Sequence, residues 1–179
     1  FKRINDSFGH EQGDRVIHAT AERLRQSLEP GDLLARIGND EFLLVLQKGD
    51  GGRSVQARAR GLIQVVHQPL TMGEGLTLEM NACCGISLYP DHGHEPGDLL
   101  QFAATALTEA KQIAPGTVRA YEPRMTRASQ HRLRLESALQ HGIESGELSM
   151  MFQPQTDARG QLRGAECLLR WDSAGLGVI

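Results

Sequence analysis

Residues 33–46 read LLARIGNDEFLLVL, two apolar runs of strand length around a short polar segment. The runs are Leu33–Ile37 and Phe42–Leu46, and the Gly-Asn-Asp-Glu segment between them is turn chemistry typical of a β-hairpin. The turn therefore presents two adjacent carboxylates, Asp40 and Glu41, where a divalent metal or a polyphosphate could reach them. An ordinary solvated hairpin is the alternative, because Asn and Asp favour tight turns without any ligand.

The composition is that of a folded globular protein, with 40% hydrophobic and 23% charged residues over 179 positions. A formal net charge of -3 argues against bulk binding to nucleic acid or to an anionic membrane, although it permits a local basic pocket for a nucleotide. Three cysteines without zinc spacing favour a reducing cytoplasmic location, and no apolar run reaches membrane-spanning length. The chain could still be the cytoplasmic part of a larger membrane-bound or sensor protein.

Helical and strand periodicities alternate along the first 121 residues. Besides the hairpin, the pattern predicts helices at Glu11–Leu28, 55–66 and 99–110, the last with Asp98 as its N-cap, and strands at Leu76–Leu88 and Thr117–Tyr121. Gly85 indicates a close backbone approach within the long strand. Because the hairpin strands must be antiparallel, we expect an α/β fold of the α+β sandwich type, with a mixed sheet covered by helices.

A second region follows Tyr121. Apolar residues from Leu135 to Ile143 have helical spacing up to Gly146, and two apolar runs, Leu148–Gln153 and Leu162–Trp171, flank a predicted turn. The predicted organisation is a first domain at residues 1–121, a connecting helix at 122–147, and the truncated opening of another domain at 148–179.

Two motifs resemble the GGDEF family, the diguanylate cyclase domains of bacterial cyclic di-GMP signalling. They are FKRINDSFGHEQGD at residues 1–14 and RIGNDEF at residues 36–42, and they stand at the family's distance from each other. A third segment, with FQPQ at 152–155 and ECLLRW at 166–171, resembles the start of an EAL domain, the phosphodiesterase partner that often follows in one chain. The resemblance implies a central mixed sheet similar to that of nucleotide cyclase and polymerase palm domains.

The family's reaction joins two GTP molecules, each held by one of two facing domains, as the ribose 3′-hydroxyl of one attacks the α-phosphate of the other. The resemblance therefore implies GTP as the ligand, a homodimer for catalysis, and Mg²⁺ or Mn²⁺ as the cofactor. Two such cations would stabilise the charge that develops on the phosphoryl oxygens, which is why the turn needs acidic side chains.

The resemblance also implies roles for single residues. Asp40 would bind the metal with Glu41 as its acidic companion, and Asn5 and Asp14 would read the guanine edge. The positions implied in phosphate or nucleotide contact are Lys2, Gly38, Asn39 and Lys111. In the EAL-like segment Glu166 would bind a metal, and Gln153 and Arg170 would contact cyclic di-GMP.

Simpler alternatives remain for most of these polar residues. Lys2 and Lys111 could be solvated surface charges, and Asn5 could be a helix-start residue. Asp14 could be an ordinary first-turn acid that the helix dipole favours.

The sequence also departs from the family pattern. Asn39 stands where a second glycine is usual, and the family's first metal-binding aspartate would lie just upstream of Phe1. An acid, Glu29, occupies the arginine position of the Arg-x-x-Asp product-inhibition motif, which argues against feedback binding of cyclic di-GMP because a carboxylate repels phosphates.

Two functions are therefore considered from sequence. The first is a diguanylate cyclase domain that binds GTP and, in the intact dimer, makes cyclic di-GMP, with reduced activity where the motif departs. The alternative is a degenerate GTP-binding module that regulates an attached EAL phosphodiesterase, favoured by Asn39 and by Ala104 and Thr108 at the usual aspartate and tyrosine positions near Lys111. A nucleotide-free scaffold is the third possibility.

Overall fold

The computed structural model describes residues 2–47, 54–71 and 77–179, with the backbone alone at residues 2 and 3. The chain divides into two compact units, Phe1–Met125 and Thr126–Ile179. The elements of the first unit are α1 (Lys2–Phe8), α2 (His10–Gln26), β1 (Leu33–Arg36), β2 (Phe42–Val45), α3 (Val55–His67), β3 (Leu70–Thr71), β4 (Thr77–Leu78), β5 (Cys84–Ile86), α4 (Pro96–Ile113) and β6 (Val118–Ala120). The helix α5 (Pro123–Ser145) leads into β7 (Leu148–Thr156), β8 (Leu162–Ser173) and β9 (Gly177–Val178) of the second unit.

The predicted hairpin is confirmed. Strands β1 and β2 pair antiparallel in a register that sets Leu33 opposite Val45 and Arg36 opposite Phe42. The backbone N–H of Ile37 donates to the carbonyl of Glu41 at 3.0 Å, which closes the turn immediately beyond the last strand pair. The polar segment therefore stands at the tip of a closed loop.

The helix predicted at Glu11–Leu28 is confirmed as α2, and a short helix, α1, precedes it. Gly9 joins the two helices with a φ of 82°, a left-handed conformation that glycine adopts at little cost. The buried side of α2 carries Ile17 and Leu24, whose helical spacing predicts this helix, and also Val16.

The strand predicted at Leu76–Leu88 is wrong in its continuity, and its first residue lies outside the described part of the chain. The structure has two short strands, β4 and β5, with residues 79–83 between them in neither helix nor strand. The strands have different partners, because β4 pairs antiparallel with β3 whereas β5 pairs parallel with β6. Between them the backbone N–H of Ala82 donates to Nε2 of His67 at 3.1 Å instead of to a neighbouring strand.

Strands β5 and β6 are joined by α4, as a parallel pair requires. The close approach predicted at Gly85 is confirmed, since a Cβ there would lie 2.1 Å from the carbonyl oxygen of Ala103 and 2.2 Å from the amide nitrogen of Leu107. The predicted N-cap at Asp98 is wrong. The helix starts at Pro96, whose fixed φ suits a first helical position, with Glu95 as N-cap and Asp98 inside the first turn.

A small apolar cluster holds the end of the first unit together. Ala106, Tyr121 and Met125 are buried in it, and the ring of Phe102 stacks on Tyr121 with centroids 4.3 Å apart. The strand orientations confirm the predicted mixed α/β class, and among the described residues of this unit the strands form separate two-stranded ladders.

The second unit contains the helix and the hairpin that the sequence predicted. Helix α5 ends before Gly146, which has a φ of 74° and allows the chain to turn into β7. The indole N–H of Trp171 donates to Oε2 of Glu147 at 3.0 Å, and Gly142 leaves room for that ring because a Cβ would lie 2.8 Å from the indole nitrogen. The predicted division of the chain at residues 121 and 147 stays a prediction.

Among the described residues, no helix combines the length and apolar character needed to cross a bilayer.

Candidate functional site

The hairpin turn is held by Arg36, the last residue of β1. Its Nε donates to the carbonyl oxygen of Gly38 at 3.1 Å, and its Nη2 donates to the carbonyl oxygen of Asn39 at 2.8 Å. Asp40 and Glu41 are both exposed at this turn. The local sequence thus presents two carboxylates on a backbone that its own arginine fixes.

Helix α4 brings a cation to the same turn. Nζ of Lys111 lies 3.2 Å from Oε1 of Glu41, although 70 residues separate the two in sequence. Both side chains remain about half exposed, at 57% for Lys111 and 46% for Glu41. A pair this exposed contributes little to stability. Its significance is positional, because an acid implied in metal binding and a lysine implied in phosphate contact lie side by side.

Asp14 lies beside the hairpin in a groove of about 560 Å³. Three other residues of α2 and three of the hairpin line that groove: Ile17, His18, Ala21, Leu34, Arg36 and Phe42. Asp14, which is exposed, and Arg36, which holds the turn, thus line the same groove.

Asn5 carries an unsatisfied acceptor. Its Oδ1 is buried and has no hydrogen-bond partner in the part of the chain that the structure describes. Its backbone carbonyl is occupied by the N–H of Gly9 at 2.9 Å, so the side chain is not required to cap the end of α1. A buried amide oxygen without a partner is costly, and a ligand donor would satisfy it. The side chain of Lys2, the remaining predicted contact, lies outside the described part.

The turn fits half of a magnesium site. Mg²⁺ in proteins is commonly bound by one or two carboxylates together with substrate phosphates and water, and Asp40 with Glu41 supplies that number. Within residues 2–47, 54–71 and 77–179 no group of three or more His, Cys, Asp or Glu side chains surrounds a common point. The residues present would therefore hold a cation with the help of the nucleotide phosphates.

Asp32, the acid of the Glu29-x-x-Asp32 segment, is used inside the protein. Its side chain is 1% exposed and forms an ion pair with Arg58 of α3, whose side chain is 9% exposed. The backbone N–H groups of Glu29 and Gln47 also donate to it, at 3.0 and 2.9 Å. Burial alone would raise the pKa of this carboxyl, but these hydrogen bonds and the guanidinium outweigh burial and lower the pKa.

In the second unit, two of the EAL-like candidates face each other. Gln153 of β7 and Glu166 of β8 are direct cross-strand partners. Arg170 lies four residues further along β8, on the same face and opposite Ser149. The three candidate residues are exposed. The structure thus places them along one sheet face.

The sequence motifs identified most of these positions, but not what Arg36 does. Arg36 is the first residue of the hairpin motif, but its role depends on which carbonyls accept its hydrogen bonds. The spacing of residues in the sequence does not determine those partners. The same holds for Arg58, which lies 26 residues from Asp32.

Residues 1–115 match the family model described as diguanylate cyclase, GGDEF domain. Curated relatives include the cyclic di-GMP phosphodiesterase PdeR of Escherichia coli, which is 32% identical over 100% of this chain and 27% of that protein. Another is the bifunctional diguanylate cyclase/cyclic di-GMP phosphodiesterase MucR of Pseudomonas aeruginosa, 31% identical over 100% of this chain and 26% of that protein. The chain thus spans about a quarter of the length of these relatives.

Among solved structures, the GGDEF domain of the Pseudomonas aeruginosa protein TpbB, also called YfiN, superposes with a TM-score of 0.68 at 36% identity. The superposition covers 72% of this chain and 75% of that one.

Proposed function

Because this chain belongs to the GGDEF family of diguanylate cyclase domains, a family of cyclic di-GMP signalling, we propose that it binds GTP with a divalent cation at the hairpin turn. The nucleotide phosphates lie between the turn and α4, and the guanine base lies beside α2.

One observation carries this proposal: the 3.2 Å contact between Lys111 and Glu41. It brings a positive charge from the last turn of α4 to the pair of carboxylates on the hairpin. Metal ligands and a phosphate-binding cation must lie within a few ångströms of each other in a site for a metal–nucleotide complex. The fold supplies that proximity from distant parts of the sequence.

The acceptors near α1 and α2 favour guanine as the base. Guanine presents a ring N–H and an exocyclic amine side by side, and adenine lacks that pair of donors. The unpartnered Oδ1 of Asn5 and the exposed carboxylate of Asp14 are acceptors suited to such donors. An adenine nucleotide would bind more weakly, because it would leave this buried acceptor without a donor.

The cation bound at Asp40 would neutralise charge on the phosphoryl oxygens and favour in-line attack. In the intact dimer, the 3′-hydroxyl of each GTP attacks the α-phosphate of the other. Each attack forms one phosphodiester bond and releases one pyrophosphate, so two GTP give one cyclic di-GMP and two pyrophosphates. Glu41, paired with Lys111, holds the lysine beside the turn until the phosphates arrive.

A second candidate function is a regulatory module that binds GTP without turning it over. A specific observation favours it: the hydroxyl of Thr108 donates to the carbonyl of Ala104 at 3.0 Å, within α4 itself. The two positions on α4 that usually carry an aspartate and a tyrosine thus lack the carboxylate and the phenol. Asn39, which stands where the turn usually has a second glycine, also favours the regulatory module.

The second unit fits the opening of an EAL-like domain, attached in the same polypeptide and located in the bacterial cytoplasm. The cross-strand pair of Gln153 with Glu166 and the position of Arg170 support this part of the proposal. Relatives such as MucR, whose name joins both activities, support it as well.

The first test incubates the protein with GTP and Mg²⁺ and measures cyclic di-GMP by chromatography. Formation of cyclic di-GMP that Asp40→Ala reduces by at least about a hundredfold would establish the cyclase, because removing a metal ligand removes transition-state charge stabilisation. The matched control is Glu22→Ala, which removes an exposed acid on α2 that pairs with Arg25 and should leave the rate unchanged. Binding without product would support the regulatory module, and no GTP binding at all would overturn both proposals.

A further inference from the structure

We propose that Arg36 is a positioning residue that turns two amide N–H groups of the hairpin, those of Asn39 and Asp40, toward the polyphosphate of the nucleotide. The inference rests on the proposed function, since it specifies how the same site holds its ligand. It assigns the role to an arginine that donates to two backbone carbonyls of the turn.

The first step is the contact geometry of Arg36. One guanidinium reaches two successive carbonyl oxygens, Gly38 at 3.1 Å through Nε and Asn39 at 2.8 Å through Nη2. Both distances are those of normal N–H···O hydrogen bonds. The peptide groups between Gly38 and Asn39 and between Asn39 and Asp40 are therefore held with their carbonyl oxygens toward Arg36.

The second step follows from the planar trans peptide. In such a group the C=O and the N–H of the next residue point in opposite directions. With the carbonyls of Gly38 and Asn39 turned to Arg36, the N–H groups of Asn39 and Asp40 point away from it. No acceptor for either N–H is found among the described residues.

Successive backbone N–H groups on one side of a turn form a concave anion site. Gly38 adds no side chain there, and the side chain of Asp40 leaves the backbone from the same turn. Such a site requires no positively charged side chain of its own. It also accounts for a turn that tolerates Asn39, because the amide of residue 39 is what contacts the ligand.

The charges around the turn select the ligand class. Asp40 and Glu41 would repel a bare anion, whereas Arg36 and Lys111 offset their charge. A polyphosphate that carries its own divalent cation suits both the acidic and the basic groups. The cation would bind the carboxylates, and the phosphate oxygens would accept hydrogen bonds from the amides and from Lys111. The ligand class is thus a metal-bound nucleoside polyphosphate.

An arginine is required for this arrangement. Its planar group presents two donors at fixed spacing, which matches two successive carbonyls, while the ammonium of lysine is a single point on a flexible stem. Lysine at position 36 would keep the charge and lose the double contact. Arg36→Lys therefore tests whether the site needs the two hydrogen bonds of the arginine or only its positive charge.

The experiment compares the binding of GTP and of guanosine by calorimetry, both with Mg²⁺. We expect Arg36→Gln and Arg36→Lys each to weaken GTP binding about tenfold, the effect of losing one or two hydrogen bonds to a charged group, and to change guanosine binding less than about twofold. The matched control is Arg23→Gln, because Arg23 also donates to two backbone carbonyls, those of Gln68 and Pro69, away from the turn. It should leave both affinities unchanged.

Equal weakening of GTP and guanosine in Arg36→Gln would show a general structural role and overturn the inference, as would unchanged GTP binding. If the protein binds neither ligand, the proposed function fails. The inference is then decided by nuclear magnetic resonance with inorganic triphosphate and Mg²⁺. Selective shifts of the Asn39 and Asp40 amides that vanish in Arg36→Gln would support it, and their absence in the unsubstituted protein would overturn it.

Discussion

Asp32 shows how a residue that resembles part of a ligand site can serve the fold instead. Its two oxygens accept from the backbone of Glu29 and Gln47, and Arg58 pairs with it from α3. These contacts join the start of β1, the end of β2 and a helix at the base of the hairpin. With both oxygens engaged inside the protein, the side chain is poorly placed to hold an external ligand.

Removing this carboxylate should destabilise the first unit. We expect Asp32→Ala to lower the free energy of unfolding by about 3 kcal/mol, because Arg58 would remain as a nearly buried charge without its main partner. Urea denaturation followed by circular dichroism measures the effect. The control Glu22→Ala breaks an exposed pair and should cost less than about 1 kcal/mol.

The same residue gives a pH dependence with a definite sign. Because the pKa of Asp32 is lower in the folded than in the unfolded chain, its stabilisation is complete above the unfolded value of about 3.9 and is lost as the pH falls through the folded value. The stability difference between the unsubstituted protein and Asp32→Ala should therefore be constant from pH 7 to 5 and shrink below pH 4. A difference that stays constant down to pH 2 would contradict this account.

At the scale of elements, Gly85 sets how closely α4 packs on β5. A Cβ at this position would overlap the backbone of α4 at Ala103 and Leu107, and backbone cannot move aside as a side chain can. The site therefore excludes every residue other than glycine unless the helix moves.

We expect Gly85→Ala to destabilise the protein by about 3 kcal/mol, since it forces α4 away from the parallel strands and from Tyr121. The control is Gly61→Ala within α3, where nothing lies within 4 Å of the added Cβ. That change should stabilise by about 0.5 to 1 kcal/mol, because alanine favours a helix interior. Thermal unfolding of both variants is the measurement, and a Gly85→Ala protein as stable as the parent would contradict the packing described.

The elements that sequence predicted well are those whose information is local. The hairpin is fixed by its own alternation of apolar runs and turn residues, and α2 by its buried spacing. The sequence predicts one strand at Leu76–Leu88 because the segment is long and mixes apolar and polar residues along its length. Its division depends on two different partner strands and on His67, which no local pattern reveals.

At the scale of the whole molecule, the motifs at residues 1–14 and 36–42 indicate a nucleotide site only when they are considered together. The fold places Asp14 and the hairpin strands around one groove and Lys111 against Glu41. The family and the mixed fold were predictable from the order of the motifs. The roles of Arg36 and Arg58 were not, because both depend on contacts that form only in the folded chain.

The central claim is a guanine nucleotide site, and the most direct measurement of it is calorimetric titration with GTP and with ATP in Mg²⁺. GTP should bind at least about a hundredfold more tightly than ATP, because adenine leaves the acceptors of Asn5 and Asp14 without donors. Asp14→Asn should reduce this preference, while Glu11→Gln, one turn earlier on α2, should preserve it. Equal binding of GTP and ATP, or no binding of either, would contradict the account.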